Sequence, residues 1–592
     1  MDQWEKMFET QLPEKSKFFN QLTFSHISDS DYEHAQTVWR AFKCKNMQDY
    51  TMLYLQSDVV LLADVIENFR DLTFKYYGLD AAGFYTSPGL SFAAALKLTK
   101  INLSLFTDVD MYNFITKAIR GGLTNSMKKY ARANNRFMKD FDPEKEISYI
   151  QYLDFVNLYG FCLMQPLPVG DFRWLNDEEI ERVKTMLLSG HDNYKQYFNF
   201  SQDKEIILET DLDYPEHLHD SHNQMPFCAE HIVPEKCTQA KLMCTLNNKE
   251  RYVIHCKNLT QCLRHGLKLT KIHRILEFTE QAWLKPYIEL NTSLRAAAKN
   301  DFEKNFFKLL INAIFGKTIE NDRKKRELKL VNNWNFARKL ILKPNFLRST
   351  IIDEEFVLIE LKKTEILVNK PVFCGFSVLE FAKHKMYEFY YDYVIKYMSD
   401  SFKIDQCYQD TDSQIFHFRL KENVDKDLSF YDFMRRDALT CFDTSDYPQD
   451  NVCNIPLVNA KVPGLMKDEV KFKVIKEWIS IRPKVYSMVI VDNISCIKNS
   501  SDQETENSKT VRKIKGVGKS ASRDVTFRDF YKCLFHNESL KASYNTIQSK
   551  MHQLYSVNIN KYALVNNDDK RYTCDDKINT LAWGHYSLKP MS

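Results

Sequence analysis

Three acidic residues stand where they could hold divalent cations. Asp410 and Asp412 are separated by one threonine and have strand-like apolar and aromatic residues on both sides, which predicts the tip of a β-hairpin. Asp154 ends another strand-like run that begins at Tyr149. Mg²⁺ prefers carboxylate oxygens and substrate phosphates, and a pair of such ions stabilises both oxygens of an in-line phosphoryl displacement. The two runs therefore predict a phosphoryl-transfer site built on Asp154 and Asp412.

The aspartate pair at 410 and 412 is distinguished by its surroundings rather than by its spacing. The same spacing occurs at residues 29 and 31, 108 and 110, 211 and 213, and 425 and 427. Each of those pairs is more simply interpreted as a capped turn or as solvated acids.

A helical pattern between Lys299 and Gly316 supplies positive charge. Lys304, Lys308 and Asn312 are spaced by four residues, so they share one helix face, and the apolar residues between them can pack elsewhere. Lysines followed by small residues suit a triphosphate with a flat base above it. Alone, this segment would be interpreted as an ordinary amphipathic helix.

Helices and strands alternate around these residues. Apolar spacing predicts helices from Tyr54 to Phe69 and from Gly375 to Met398. Strand patterns cover Ile147 to Phe155 and, as a hairpin, Thr350 to Val368. The fold class predicted is α/β, or α+β with several domains.

Composition excludes several classes of protein. In 592 residues, 44% are hydrophobic and 13% aromatic, which is too apolar for a disordered chain. The net charge of +4 does not by itself indicate nucleic-acid binding. The 14 cysteines form no CxxC pair, and neither a signal peptide nor a membrane-spanning run is recognisable. We therefore expect an intracellular protein of the nucleus or cytoplasm that is neither secreted nor membrane-bound.

Taken in chain order, the three segments resemble motifs A, B and C of family B DNA polymerases. The similarity is strongest to the protein-primed branch, which includes polymerases of Polinton/Maverick-type transposons, linear plasmids and viruses, and it extends from about Phe24 to the C-terminal region. Four further segments match in order: Tyr54 to Asp58 is similar to the third exonuclease motif, Ile119 to Gly122 to the segment joining exonuclease and polymerase, Arg482 to Tyr486 to the Lys-x-Tyr motif, and Lys513 to Lys519 to a basic thumb segment.

The resemblance implies a right-hand fold of palm, fingers and thumb, preceded by a truncated RNase H-like exonuclease remnant. The implied divisions are 1–135 for the C-terminal part of an exonuclease-like domain and linker, 136–180 for palm with motif A, 181–290 for an insertion like the terminal-protein region, 291–330 for fingers with motif B, 331–480 for palm with a hairpin insertion and motif C, and 481–592 for thumb and C-terminal region.

The resemblance also implies roles for individual residues. Asp154 and Asp412 would bridge two Mg²⁺ ions, or Mn²⁺ in their place, with Asp410 as an accessory acid. The residues implied around the incoming nucleotide are Lys304, Lys308, Asn312, Phe315 and Tyr159, the last of which would exclude a 2′-hydroxyl. The residues implied to contact DNA are Arg120, Gly121, Gly122, Lys484, Tyr486 and Lys515.

The sequence departs from the family pattern at two places. Motif A reads Asn-Leu-Tyr-Gly at residues 157–160 where Ser-Leu-Tyr-Pro is more frequent, and Ala313 and Phe315 replace Ser and Tyr in motif B. Before Tyr54, neither Asp-x-Glu nor Asn-x-x-Tyr-Asp is found, and Asp58 alone cannot bind two metal ions. We therefore expect that this chain lacks proofreading and retains Tyr54 and Asp58 as a remnant, through either a truncated gene or a decayed element.

The predicted function is that of a DNA-directed DNA polymerase, which adds deoxynucleoside triphosphates to the primer 3′ end of a DNA primer-template. A terminal protein is a candidate for the first primer. A reverse transcriptase is less favoured because it would place adjacent aspartates at the hairpin tip. An inactive DNA-binding remnant of a transposon polymerase is the alternative from another class: the missing exonuclease motifs favour it, and the three retained acids oppose it.

Cysteines and histidines between motifs A and B leave a zinc site open. Without a CxxC pair, buried thiols in an irregular insertion are the favoured interpretation. The residues concerned are His222, Cys228, His231, Cys237, Cys244, His255, Cys256, Cys262 and His265.

Overall fold

The computed structural model describes residues 4–190, 203–235, 237–493, 508–550 and 553–588. Within these ranges helices and strands are mixed along the chain, as predicted. The α-helices are α1 Asp29–Ala41, α2 Met47–Tyr77, α3 Ser87–Thr99, α4 Val109–Ala118, α5 Leu158–Leu163, α6 Asp177–Ser189, α7 His219–His222, α8 Cys256–Arg264, α9 Lys285–Ala297, α10 Asp301–Thr318, α11 Trp334–Ile341, α12 Val372–Tyr387, α13 Lys396–Met398, α14 Phe430–Arg436, α15 Ala438–Cys441, α16 Lys519–Ser522 and α17 Phe527–His536.

The strands of the described residues form several separate sheets. They are β1 Thr124–Ser126, β2 Tyr130–Arg132, β3 Ser148–Phe155, β4 Leu167–Trp174, β5 Lys204–Asp213, β6 Glu230–Ile232, β7 Lys241–Met243, β8 Lys249–His255, β9 Lys268–Gln281, β10 Arg326–Val331, β11 Phe346–Ile351, β12 Val357–Lys362, β13 Phe402–Asp410, β14 Ser413–Leu420, β15 Phe442–Asp443, β16 Met466–Asp468, β17 Val474–Arg482, β18 Val485–Val491, β19 Ser508–Ile514, β20 Leu540–Lys550, β21 Gln553–Leu564, β22 Arg571–Thr573 and β23 Thr580–Ala582.

A six-stranded sheet in the order β1-β13-β14-β3-β16-β15 forms the centre of the molecule. The predicted hairpin is β13 and β14, and β14 pairs antiparallel with the predicted strand β3. Side chains of β3, β14 and α12 share one hydrophobic core, in which Leu153, Ile415 and Phe416 are fully buried. Because this sheet is packed on its core, its strand ends are rigid supports for side chains.

A second sheet, in the order β19-β18-β17-β2, packs with α17 around its own core. The division predicted after residue 480 falls inside β17, so the sheet is continuous across the expected palm–thumb boundary. Likewise, β1 and β2 pair with β13 and β17, so residues 124–126 and 130–132 are strands of these two sheets. Sequence patterns missed both pairings because the partner strands lie hundreds of residues away.

The region between the acids contains two further units. Strands β4, β9, β5 and β8 form a four-stranded sheet that covers much of the predicted insertion at 181–290. After α10, strands β10, β12 and β11 form a sheet that packs with α11 around a small separate core. The hairpin predicted at 350–368 is therefore displaced toward the N-terminus, at 346–362, and has a third strand.

The N-terminal region is helical. Among residues 4–123 the structure has no strand, so the predicted RNase H-like remnant is represented there by helices alone. Both ends of α2 have contacts: the Met47 amide donates to the Glu9 carbonyl oxygen at 2.9 Å, and at the other end the Tyr77 hydroxyl donates to Asn291 Oδ1 at 2.7 Å and Phe69 packs edge-on against Phe306. No helix of the described residues combines the length and the apolar character needed to cross a membrane.

Candidate active site

The structure brings Asp154 and Asp412 together. Ser413, the first residue of β14, lies directly opposite Asp154 at the end of β3. The Phe155 amide donates to the Asp412 carbonyl oxygen at 2.9 Å, so the main chains are bonded on both sides of this pair. Two acids that are distant along the chain therefore stand side by side at the ends of neighbouring strands.

The turn between Asp410 and Asp412 is held by main-chain bonds. Thr411 has a φ of 65°, in the left-handed region that β-branched residues rarely adopt. Its amide donates to the Leu123 carbonyl oxygen at 2.7 Å, and the Asp412 amide donates to the Asp410 carbonyl oxygen at 2.8 Å. The strained turn is thus fixed by the segment that leads into β1.

Burial and mutual repulsion make the acid cluster electrostatically unfavourable on its own. Burial, together with the neighbouring Asp412, Glu469 and Asp410, raises the pKa of Asp154 to about 8. Burial and Asp410 also raise the pKa of Asp412. A positive ion bound between such carboxylates stabilises their charged form, because its charge offsets both the cost of burial and the mutual repulsion.

The donor set fits hard divalent cations. All the acidic groups here offer carboxylate oxygens, which Mg²⁺ and Mn²⁺ accept, and thiol or imidazole ligands that would favour zinc are not part of the cluster. Within the described ranges, no three side chains of His, Cys, Asp or Glu form a ready-made metal-binding group. Two protein carboxylates completed by substrate phosphates would nevertheless suffice for Mg²⁺, which seldom uses all-protein cages.

Two lysines reach the acid cluster from the second sheet. Lys484, in the turn between β17 and β18, forms an ion pair with Asp410, and Lys513 Nζ lies 3.6 Å from the same carboxylate. Lys484 has a φ of 64°, and its amide donates to the Tyr408 hydroxyl at 2.7 Å. The exposed Lys515 is bonded to this turn through its amide, which donates to the Lys484 carbonyl oxygen at 3.0 Å.

Tyr486 is buried beneath this turn. Its ring packs against Tyr408 at 5.1 Å and against Trp478 at 4.9 Å between centroids, and 4% of its surface is exposed. The geometry therefore supports a role for Tyr486 in fixing the Lys484 turn rather than in meeting a ligand directly.

Tyr159 and Phe315 form a stacked pair beside the acids. Their rings are parallel within 8° and 4.6 Å apart between centroids. Tyr159 is placed by α5, which Asn157 caps in a left-handed conformation through a bond from the Gly160 amide at 3.3 Å. A Cβ at Gly160 would stand 2.1 Å from Asn157 Nδ2, so the Asn-Leu-Tyr-Gly form of this motif is a matched pair of substitutions.

Helix α10 presents the predicted polar face. Lys304, Lys308 and Asn312 are exposed, while Phe306, Phe307 and Leu310 are buried on the other side. Lys304 pairs with Asp301 at 3.2 Å in the first turn. The spacing argument therefore placed the three polar residues on one exposed face, and Lys308 is closer than Lys304 to Phe315 along the helix.

The segment from Arg120 to Gly122 differs from the expectation. The Arg120 guanidinium lies 3.8 Å above the Tyr252 ring and donates to the Val253 carbonyl oxygen at 2.9 Å, and only 8% of the residue is exposed. A direct DNA contact through this side chain is therefore not supported, because the charge is already buried in a cation–π contact. Gly122 lies against Thr411 of the acid-bearing turn.

Tyr54 and Asp58 lie on α2, away from any strand. Both side chains are exposed, Tyr54 by 64%. The helix predicted from Tyr54 to Phe69 is present as part of α2, but several of the apolar residues that predicted it are exposed: Leu55, Val59 and Leu62 show 52%, 58% and 60% of their surface.

Two residues of the site were missed by sequence reasoning. Glu469 follows β16, and its amide donates to the Tyr152 carbonyl oxygen at 3.0 Å, which brings it beside Asp154. Lys513 was recognised only as part of a basic run. Glu469 has no distinctive pattern around it, and the basic run of Lys513 does not indicate its neighbours, because only strand pairing brings either residue to the acids.

The cysteines and histidines between motifs A and B are dispersed through the interior. Cys228 and Cys262 are neighbours with their sulfurs 3.7 Å apart, and Cys244 accepts a bond from Asn125. The His222 ring bonds the Tyr214 hydroxyl at 2.9 Å. These contacts are those of buried thiols and a hydrogen-bonded core histidine, and among the described residues no three side chains of His, Cys, Asp or Glu form a metal-binding group.

Comparisons with known proteins show the family and the fold of this chain. Residues 23–389 match the family described as DNA polymerase type B, organellar and viral. Phi29 DNA polymerase in an orthorhombic crystal form shares the fold, with a TM-score of 0.51 and 15% identity over 91% of this chain and 73% of that chain. Its ternary complex with primer-template DNA and incoming nucleotides gives a TM-score of 0.48 at 15% identity over the same shares of the two chains.

No curated protein shows significant sequence similarity to this chain. The family match covers more than half of the sequence and includes the segments of Asp154 and Lys308, and the structural likeness supports the right-hand polymerase fold. The chain therefore belongs to the organellar and viral type B DNA polymerases, and it is a DNA-directed DNA polymerase.

Proposed function

We propose that Asp154 and Asp412 bind two divalent cations, Mg²⁺ in the first place, and that nucleotides are added to a primer 3′ end beside them. The observation that carries this proposal is the pairing of β3 with β14, which sets the two acids side by side on a rigid sheet. Asp410 is the accessory acid, and Glu469 adds a further carboxylate beside Asp154.

The cations would stabilise the attacking and leaving oxygens of phosphoryl transfer. The protein's own contribution is positioning and charge. The main-chain bonds around Thr411 hold the carboxylates in place before substrate arrives. Lys308, exposed on α10, is available for the triphosphate of the incoming nucleotide.

The stacked pair of Tyr159 and Phe315 would form a flat wall for the sugar and base of that nucleotide. A ring fixed in this way leaves little room for a 2′-hydroxyl, so Tyr159 would select deoxyribose by exclusion. Asn312, one turn before Gly316 on the same face of α10, would border the nascent base pair.

The primer strand would enter beside Lys484. In the chain without DNA, this lysine neutralises Asp410. A primer phosphate would compete for the same ammonium group, which would free Asp410 as DNA binds. Lys515 and Lys513 extend the positive charge along this edge.

Protein priming is the finer part of the proposal. The sheet of β4, β9, β5 and β8 lies between motifs A and B, where the family resemblance implies an insertion that docks a terminal protein or encircles the template. A hydroxyl of such a protein would take the place of the first primer end. The free thiols of the described cysteines suit a reducing compartment, nucleus or cytoplasm.

Primer extension on a DNA template with Mg²⁺ tests the proposal. Asp412→Asn is expected to reduce nucleotide addition by about 10²–10³-fold or more. Primer-template affinity should be nearly unchanged, because backbone contacts dominate DNA binding. Asp427→Asn is the matched control, since Asp427 is the second acid of an exposed Asp-x-Asp pair and should leave both properties unchanged.

Three outcomes would contradict the proposal. An equal loss of activity and DNA affinity in Asp412→Asn would indicate a structural role for this acid. A wild-type chain that binds DNA and adds no nucleotide would favour the inactive remnant. Faster extension on an RNA template than on a DNA template would favour a reverse transcriptase.

A further inference from the structure

Gly122 makes an unusually close approach to the turn that carries the acids. A Cβ built on Gly122 would lie 2.5 Å from Thr411 Oγ1, 2.6 Å from Cγ2 and 2.9 Å from Cβ. These atoms would be about 1 Å inside ordinary van der Waals separation. The neighbouring Gly121 has nothing within 4 Å of the same constructed atom, so the constraint is specific to one glycine of the pair.

The same segment holds the turn by its main chain. The Leu123 carbonyl oxygen accepts from the Thr411 amide at 2.7 Å. Immediately afterwards, Thr124 pairs with Asp410 at the start of the β1–β13 ladder, and its hydroxyl donates to Asp410 Oδ1 at 3.1 Å. These bonds from Leu123 and Thr124 to the turn require the main chain at residue 122 to pass directly over Thr411.

The segment of residues 120–123 cannot easily move away from Thr411, because other parts of the fold hold it in place. Lys383 on α12 is buried and donates to the Arg120 carbonyl oxygen at 3.0 Å. The Arg120 side chain is in turn bonded to Val253 of β8. A side chain at residue 122 would therefore displace Thr411 rather than its own segment, and Thr411 already has a strained φ of 65°.

We infer that Gly122 is a positioning residue for nucleotide addition: without a side chain, it lets the Leu123 carbonyl hold the Thr411 turn so that Asp410 and Asp412 face one pocket. This inference rests on the proposed role of Asp412. It assigns to Gly122 a function inside the protein, in place of the template contact that the family resemblance implies.

Four single substitutions and one double variant test the inference in primer extension with DNA and Mg²⁺. Gly122→Ala is expected to lower kcat by about 10–100-fold, since a misplacement of 1 Å costs about that much. Its primer-template Kd should remain within about twofold of wild type, because the acids contribute little to DNA affinity. Gly83→Ala, at an exposed glycine where a constructed Cβ has nothing within 4 Å, controls for the substitution itself and should change neither value.

The clash partner supplies a rescue. Thr411→Gly removes all three contacting side-chain atoms, keeps the amide that bonds Leu123, and tolerates the positive φ. In this background Gly122→Ala should lower kcat by less than about threefold, so the two substitutions are strongly coupled. Gly121→Ala completes the set: a loss there is expected in Kd, where a template contact would register.

The outcomes separate the two roles. A raised Kd with unchanged kcat in Gly122→Ala, or equal behaviour of the Gly121 and Gly122 variants, would overturn the inference. So would an undiminished effect in the Thr411→Gly background. If Gly122→Ala alone fails to fold, a folded and active double variant supports the clash, and an unfolded one overturns it. Full activity of Asp412→Asn would instead refute the proposed function.

Discussion

The acidic residues of the central sheet and those of helix α2 have opposite surroundings. Asp154 lies near the end of β3 and Asp412 in the turn before β14; both are half-buried and have main-chain bonds beside them. Asp58 stands on an exposed helix whose neighbouring apolar residues are also exposed. The proposed metal site needs a rigid support that brings a second acid beside the first, and of these two regions the central sheet provides it.

The two regions also differ in how they use apolar residues. Leu153, next to Asp154, has no exposed surface, whereas Leu62 on α2 is 60% exposed. Burying such a side chain contributes roughly 1.5–3 kcal/mol. Buried leucines therefore stabilise the central sheet, whereas the exposed leucines of α2 add little to the stability of that helix.

The largest expected contrast is catalytic. Asp154→Asn should reduce nucleotide addition by about 10²–10³-fold, because it removes one of the two paired carboxylates. Asp58→Asn should change it by less than about twofold, as surface substitutions generally do. Steady-state primer extension measures both. Comparable losses in the two variants would erase the distinction between the sheet and α2.

A stability contrast should accompany it. Leu153→Ala should lower the free energy of unfolding by about 2–5 kcal/mol, through lost burial and the cavity left behind. Leu62→Ala should change it by less than about 0.5 kcal/mol. Denaturant unfolding followed by circular dichroism gives both values. A large loss for Leu62→Ala would show that α2 is covered in solution by another surface.

The acid-bearing hairpin and the polar face of α10 could be predicted because each depends on a pattern of nearby residues: strand-like apolar runs for the hairpin and polar residues spaced by four for the helix. The pairing partners could not. Residues 124–132 join strands that lie hundreds of residues later, and Glu469 reaches Asp154 only through β16. Burial could not be predicted from the sequence either. Arg120 is of a residue type that often contacts DNA, yet its guanidinium is buried against the Tyr252 ring and bonded to the Val253 carbonyl oxygen.

A smaller effect is expected at the aromatic wall. Tyr159→Ala should raise the use of ribonucleotides relative to deoxyribonucleotides by about tenfold, since pocket contacts of this size discriminate by 10–200-fold. The comparison of kcat/KM for the two nucleotide types measures it. Phe315→Leu, which keeps an apolar neighbour but loses the stack, should give a weaker change. Unchanged sugar selectivity in Tyr159→Ala would refute the exclusion role.

The smallest expected effect concerns DNA affinity. Lys484→Ala should weaken primer-template binding and reduce the slope of log affinity against log salt by about 1, since one phosphate contact is lost. Lys145→Ala is the control. The Lys145 side chain is 75% exposed, and the ion pair observed for it among the described residues is with Asp142. A salt slope equal to that of wild type would count against the primer contact.

The most direct test of the central claim is the stoichiometry of Mn²⁺ binding to the complex with primer-template DNA and a non-hydrolysable nucleotide, followed by calorimetry or electron paramagnetic resonance. Shared ligation by Asp154 and Asp412 predicts two ions in the wild-type complex and the loss of at least one in both Asp154→Asn and Asp412→Asn. Two ions retained in either variant would contradict it.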